Sequence, residues 1–286
     1  MNIVLAAFGK RGYHFAAYNL AFSIKHYDPK AKILLIHDSG IKYIPDTSVF
    51  DKFHAIDEMT TKPTGIFDPA NVKLNTYKIA TKYFKEYMFL DVDAIVLKSL
   101  QPFYDQVKEM EFATEIRGKG TIDEVINYSV WATNEDIWSE FGLKKKDLYY
   151  APQSSFHFAK RTKDNTAMFK DAVRLNKETF VDRKMLSIKW GAALPDELIL
   201  GGALARRKFD ASFPTPIFYG NKHNTISHMR ENFYVMSLFG QGIGNTLTKL
   251  VFLEYYDAYM RKMFKEHGKN HIYKVRYIMN DKLINK

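Results

Sequence analysis

The chain has no cysteine in 286 residues. That excludes disulfides, thiol nucleophiles and cysteine-ligated zinc. No segment approaches the roughly 18 uninterrupted apolar residues that a membrane-spanning helix needs. Internal repeats and low-complexity segments are also missing. Met1–Phe8 carries no basic start and is too short for a signal peptide, so it reads as the first core strand of a soluble, cytoplasmic protein. Two things are abundant instead. The formal net charge is +10, and aromatic residues make up 15% of the chain. A 46% hydrophobic share supports a sizeable core, and the length suits one large α/β domain with at most a small appendage.

The patterning begins as a βαβ unit. Asn2–Phe8 is a continuous apolar run, as in a strand buried on both faces. Tyr13–Tyr27 has helical spacing, Ala31–His37 is a second strand, and Asp38-Ser39-Gly40 is a turn cluster. Such an opening belongs to nucleotide-binding α/β folds. The first turn, Gly9-Lys10-Arg11-Gly12, is neither G-x-G-x-x-G nor a P-loop. Residues 45–72, with Pro45, Pro63, Gly65 and Pro69, read as a loop-rich rim. Further on, strands are expected at Phe112–Thr114, Gln153–Lys160, Phe213–Tyr219 and Asn232–Phe239. Helices are expected at Lys73–Ala80, Asn134–Phe141, Asn165–Leu175, from Leu194-Pro195-Asp196-Glu197 onward, and at Leu247–Phe264. The expected division is 1–245 for the main domain and 246–286 for a basic helical extension.

Chemistry concentrates in Tyr87-Met88-Phe89-Leu90-Asp91-Val92-Asp93-Ala94-Ile95-Val96-Leu97. Two carboxylates interrupt an otherwise apolar strand. Burying a charge is costly without a counter-charge or a metal. Strand alternation puts Asp91 and Asp93 on one face and Val92 on the other. Paired oxygens there suit a hard divalent cation that keeps waters and grips a diphosphate.

Lys73-Leu74, followed by an aromatic and then Phe89-Leu90-Asp91-Val92-Asp93-Ala94-Ile95-Val96-Leu97, resembles the glycosyltransferases of the glycogenin and bacterial lipopolysaccharide galactosyltransferase type (family 8). The resemblance implies an α/β fold of the GT-A kind, with a mixed, mostly parallel central sheet flanked by helices. It also implies sugar transfer from a UDP-sugar, with retention at the anomeric carbon. Phe8 and the turn after it would lie at the nucleoside. Asp91, Val92 and Asp93 would hold the donor and its Mn²⁺ or Mg²⁺, and Lys73 the diphosphate. The family's Asn-(Ser or Ala)-Gly strand corresponds to Gln153-Ser154-Ser155, and its Asp-Gln helix start to Asp196-Glu197. That places Asp196 on sugar hydroxyls and Glu197 at the anomeric carbon, either sheltering positive charge or trapping it covalently. The family's third metal ligand, a histidine, falls at Ser237. His223 or His228 is left to supply it, and an imidazole ligand would favour manganese.

Half of the charge excess sits at the end of the chain, where Lys249–Lys286 holds nine Lys or Arg against four Asp or Glu. A polyanionic acceptor is therefore expected. Three kinds compete. The first is a hydroxymethylated base in phage DNA, which would place the enzyme in the host cytoplasm. The second is a cell-surface glycan at an anionic membrane, with Tyr255, Tyr256, Tyr259, Arg261, Lys262 and Lys265 making peripheral contact. The third is glycogenin-like protein glycosylation. Overall basicity favours DNA.

Overall fold

The computed structural model describes residues 1–9, 11–56, 69–121, 124, 141–178, 196–209, 212–213, 217–219, 230–237 and 247–269. They fall into two compact units. One holds the described residues of Met1–Ile56, Leu90–Gln106 and Thr215–Lys286, and the other those of Asp57–Phe89 and Val107–Pro214.

The first unit opens with β1 (Asn2–Ala7), α1 (Arg11–Tyr27) and β2 (Lys32–His37), as the hydrophobic pattern predicts. β1 and β2 pair in parallel, from Asn2 opposite Lys32 to Ala7 opposite His37. Ile3, Val4, Leu5, Ile33, Leu34, Leu35 and Ile36 are fully buried, which is why both strands read as unbroken apolar runs. β3 (Lys52–Ala55) adds in parallel to β2, within the stretch expected to be loop. Its residues are mostly exposed, so as a short edge strand it carries no apolar signature.

A second, small sheet in this unit is made of β5 (Ala94–Val96), β9 (Ile217–Tyr219) and β10 (Val235–Ser237), with β10 in the middle. The last helix among the described residues, which we label α6 (Leu247–Glu266), lies on α1. Phe22 stacks on Phe264 at 4.1 Å between centroids. Asn19 Nδ2 donates to the buried Tyr256 hydroxyl at 3.1 Å, and the hydroxyls of Tyr27 and Tyr259 meet. Just beyond it, Lys269 Nζ reaches Asp46 Oδ2 at 2.5 Å. That lysine is the first cause of an Asp46 carboxyl held down at about 2.

The second unit contains α2 (Pro69–Ala80), β4 (Glu86–Leu90), β6 (Phe112–Thr121), β7 (Leu148–Lys160), α4 (Lys163–Glu178), α5 (Asp196–Arg206) and β8 (Ser212–Phe213). The label α3 is kept for Gln101–Val107. Strand order here is β4-β7-β6-β8. β6 and β7 are longer than their sequence patterns predict. Gly118-Lys119-Gly120 lies inside β6 and pairs antiparallel with Tyr149–Ala151. The expected single strand Phe213–Tyr219 is two, β8 beside β6 and β9 beside β10. Of the expected helix Asn134–Phe141, residues 134–140 lie outside the described set. Among the described residues no helix is long and apolar enough to cross a membrane.

Candidate active site

Asp91 and Asp93 do not stand in a strand. β4 ends at Leu90 and β5 begins at Ala94, and the two acids flank Val92 in the bend that joins them. The alternation expected of a strand survives in burial. Val92 is 5% exposed, while both aspartates are half-exposed. Leaving the strand lowers the cost of acids in an apolar run, because neither residue is fully buried. In the first unit, Ser237 of β10 stands opposite Ala94, the residue after Asp93, and is itself buried. The two carboxylates offer hard oxygen ligands of the kind that Mg²⁺ and Mn²⁺ take. Asp93 also lies close enough to Tyr256 to be one cause, after burial, of that phenol's raised pKa. His223 and His228 lie outside the described residues.

At the C-terminal ends of β1 and β2, an anchor appears that sequence reasoning missed. Asp38 accepts from Gly9 N at 2.6 Å and Gly40 N at 2.8 Å, and its Oδ1 is 2.9 Å from His14 Nε2. One carboxylate thus ties the first βα turn to the end of β2. His14 is fully buried, and a Cβ at Gly40 would fall 2.1 Å from its ring, so only glycine fits there. Arg11, at the start of α1, packs over the rings of Phe15 and Tyr43 at 5.2 and 5.0 Å. Phe8, expected at the nucleoside, is half-exposed just after β1. The Asp-Ser-Gly turn was the available signal, since Asp readily bonds backbone N–H groups two residues on.

The second unit brings together three of the predicted residues. Lys73 Nζ lies 3.1 Å from Asp196 Oδ2 and donates to Ser154 Oγ at 3.3 Å. The side chains of Lys73 and Asp196 are 22% and 14% exposed, so this pair feels little of the screening that weakens surface ion pairs. A distortion of β7 puts Ser154 there. Thr114 of β6 pairs with His157, yet the next residue, Glu115, pairs with Gln153. Residues 154–156 therefore bulge out of the ladder, which re-aims side chains. The Thr114 hydroxyl donates to Phe156 O at 2.8 Å, with Gln153 O at 3.3 Å, tying the two ends of the bulge together. Gln153 is 2% exposed, and its Nε2 donates to Ser155 Oγ at 3.2 Å.

Asp196 and Glu197 occupy the first turn of α5, where the helix dipole favours negative charge. The helix approaches β7 closely. A Cβ at Gly201 would fall 2.3 Å from Tyr150 O, and one at Gly202 2.7 Å from the Phe141 ring. Burial, and then the Glu197 carboxylate, push the Tyr149 phenol above its ordinary range, so Tyr149 stays protonated and donates to Leu198 O at 3.4 Å. Behind Lys73 lies a neutral buried pair. Tyr87 Oη is 3.1 Å from His157 Nε2, and His157 stacks on Phe89 at 4.9 Å. Burial first, and the nearby Lys73 charge second, lower the His157 pKa to about 3.

No family model matches the chain, and no curated protein does. Solved structures do match. A galactosyltransferase, LgtC, in complex with donor and acceptor sugar analogs has a TM-score of 0.57 at 13% identity, with 97% of this chain covered and 99% of that one. An active-site mutant of LgtC gives 0.53 at 12% identity over 98% and 99% of the two chains. The bifunctional glycosyltransferase WbbM, in its apo form, gives 0.55 at 12% identity over 93% of this chain. The chain spans 51% of WbbM's length. Likeness at such identities defines the fold. The chain has the GT-A fold, mixed α/β with a mostly parallel central sheet flanked by helices.

Proposed function

We propose that this protein is a glycosyltransferase that moves a sugar from a nucleoside diphosphate donor, UDP-sugar by resemblance, to an acceptor hydroxyl with retention. The observation that carries the reading is the half-buried Lys73–Asp196 pair, with Ser154 beside it, at the start of a helix whose next residue is Glu197. Such a group presents charged and hydroxyl hydrogen-bonding partners in a setting where they act strongly, as recognition of a sugar's hydroxyls requires. The ion pair refines the role expected of Lys73. Its charge is already matched by Asp196, so it suits sugar hydroxyls better than a diphosphate.

By resemblance alone, Asp91 and Asp93 would take the diphosphate end of the donor through a divalent cation. Bound there, that cation would neutralise the charge growing on the leaving diphosphate. Asp196 and Lys73 orient the sugar. The bond from the anomeric carbon to the diphosphate oxygen breaks, the acceptor oxygen bonds to that carbon, and the acceptor proton passes to the departing diphosphate. Glu197 stabilises the positive charge at the anomeric carbon in between. The acceptor proposed is a polyanion, a hydroxymethylated base in DNA ahead of an anionic cell-surface glycan. Titration calorimetry with UDP and a divalent cation tests the donor half. Binding in the wild type that disappears in Asp91→Asn supports it, and equal binding in both contradicts it.

A further inference from the structure

Two runs of three basic residues, remote in sequence, converge in the second unit. Lys144-Lys145-Lys146 precedes β7, and Arg206-Arg207-Lys208 ends α5. All six are exposed. Lys146 of the first run and all three residues of the second line one cleft of about 710 Å³, with Asp147 and Asp171 as its acids. Both carboxylates are engaged by the protein. Asp171 binds Arg174 Nη2 at 2.5 Å and Arg206 Nε at 3.0 Å, and Asp147 Oδ2 accepts from Lys144 N at 2.8 Å. Arg206 also donates to Phe141 O at 2.6 Å, so it and Asp171 build the wall of the cleft. The lining thus carries four basic residues against two acids, one of them paired with Arg206.

The end of α5 adds an independent sign. Lys208 has φ 52°, the left-handed conformation in which helices usually place glycine. Lys208 N bonds Ala205 O at 3.1 Å and Phe209 N bonds Leu204 O at 3.0 Å, closing the helix as glycine would. A lysine held in a conformation that favours glycine points to a use for its side chain.

We propose that this cleft is a docking site for a phosphodiester backbone, and that the backbone is that of a nucleic-acid acceptor. A concave slot with basic residues along both sides suits a rod of phosphates, whose contacts position the strand without reading its sequence. A bilayer would need apolar side chains to insert. Leu148 is the one large apolar residue of this unit that is substantially exposed among those described, and Tyr150, also in the lining, is buried. The inference rests on the transferase reading for its place in catalysis, but docking itself is measurable with no donor present.

The test uses the full chain and a labelled duplex of about 20 base pairs, titrated between about 50 and 200 mM salt. One variant combines Lys144→Gln, Lys146→Gln, Arg207→Gln and Lys208→Gln. A control of equal charge combines Lys30→Gln, Lys52→Gln, Lys82→Gln and Lys85→Gln, all exposed and outside the cleft. The cleft variant is expected to lose about tenfold or more in affinity, with a salt slope shallower by about one for each phosphate that is no longer neutralised. The control is expected to lose only a few-fold. Equal losses in the two variants would overturn the proposal, because net charge alone would explain them. So would phosphatidylserine vesicles that bind the wild type and not the cleft variant while duplex binding is the same in both. Lys208→Gly separates ligand from fold. It should raise the melting temperature and weaken duplex binding together, and a rise with unchanged affinity would contradict the use assigned to that lysine. Absent sugar transfer in a protein that passes these tests would count against the transferase reading and leave the docking site standing.

Discussion

Lys73 and Asp196 meet at 3.1 Å, although the lysine sits on α2 and the aspartate opens α5. Each is held by a different feature of the second unit. α5 is drawn onto β7 by Gly201, and the Lys73 ammonium is also held by Ser154, at the bulge in β7.

Breaking that pair from either side should cost stability as well as activity. Lys73→Met or Asp196→Asn is expected to lower unfolding free energy by about 1–2 kcal/mol, between surface and fully buried ion pairs. The double variant should recover part of that loss, since neither charge is then left half-buried without its partner. Transfer should stay low in all three. Denaturant melts of the four proteins check this, and additive losses would contradict the coupling.

Asp91→Asn and Asp93→Asn should each abolish transfer with little change in thermal stability. Both residues are half-exposed, so an isosteric amide leaves no buried cavity at either position. Activity above about a tenth of wild type in metal-replete buffer would remove the bend from the site.

Glu197→Gln separates two roles. If the carboxylate only shelters positive charge, the loss should stay within about 10²–10³, the usual cost of one electrostatic contribution. A larger loss, with a trapped glycosyl adduct seen by mass spectrometry in the wild type, assigns it as a nucleophile.

Acid sensitivity should begin well above the carboxylate range. The buried His157 has its pKa lowered to about 3, against 6.5 when unperturbed. Above about pH 6.5 it is neutral whether folded or unfolded, and its contribution is fully present. As pH falls below 6.5 the unfolded chain takes up the proton and the folded one does not, so stability drops progressively toward pH 3. Asp46, held at about 2, adds its loss only below its ordinary 3.8. His157→Gln should flatten the melting curve between about pH 6.5 and 4.5. An unchanged pH profile would mean that the imidazole is not held neutral.

The helix α6 should behave as part of the first unit's core. Phe264→Ala empties a buried stack against Phe22 and should cost about 3–5 kcal/mol. A loss under about 1 kcal/mol would mark the helix as an appendage.

Sequence carried some of this plainly. β1 and β2 were legible because parallel strands buried on both faces leave continuous apolar runs, and the acids at 91 and 93 stand out against such a background. β3 was not, because an exposed edge strand has no apolar code. The bulge at 154–156 and the Asp38 anchor depend on hydrogen bonds between residues far apart in sequence, and neither leaves a periodic trace. The basic cleft escaped for the same reason. Each of its two runs alone reads as a solvated surface, and only the fold places them on one opening, whereas the sequence drew attention to the charge after Lys249. Lys73, Ser154 and Asp196 were picked out through resemblance rather than spacing, and the structure supplies the contact that joins them.

The most direct measurement is UDP release by the full chain presented with a panel of UDP-sugars and Mn²⁺ or Mg²⁺, run beside Asp93→Asn. The account predicts release from at least one donor, stopped by chelating the metal, absent in the variant and accelerated by an acceptor hydroxyl. Release from no donor, or equal release by wild type and variant, would contradict it.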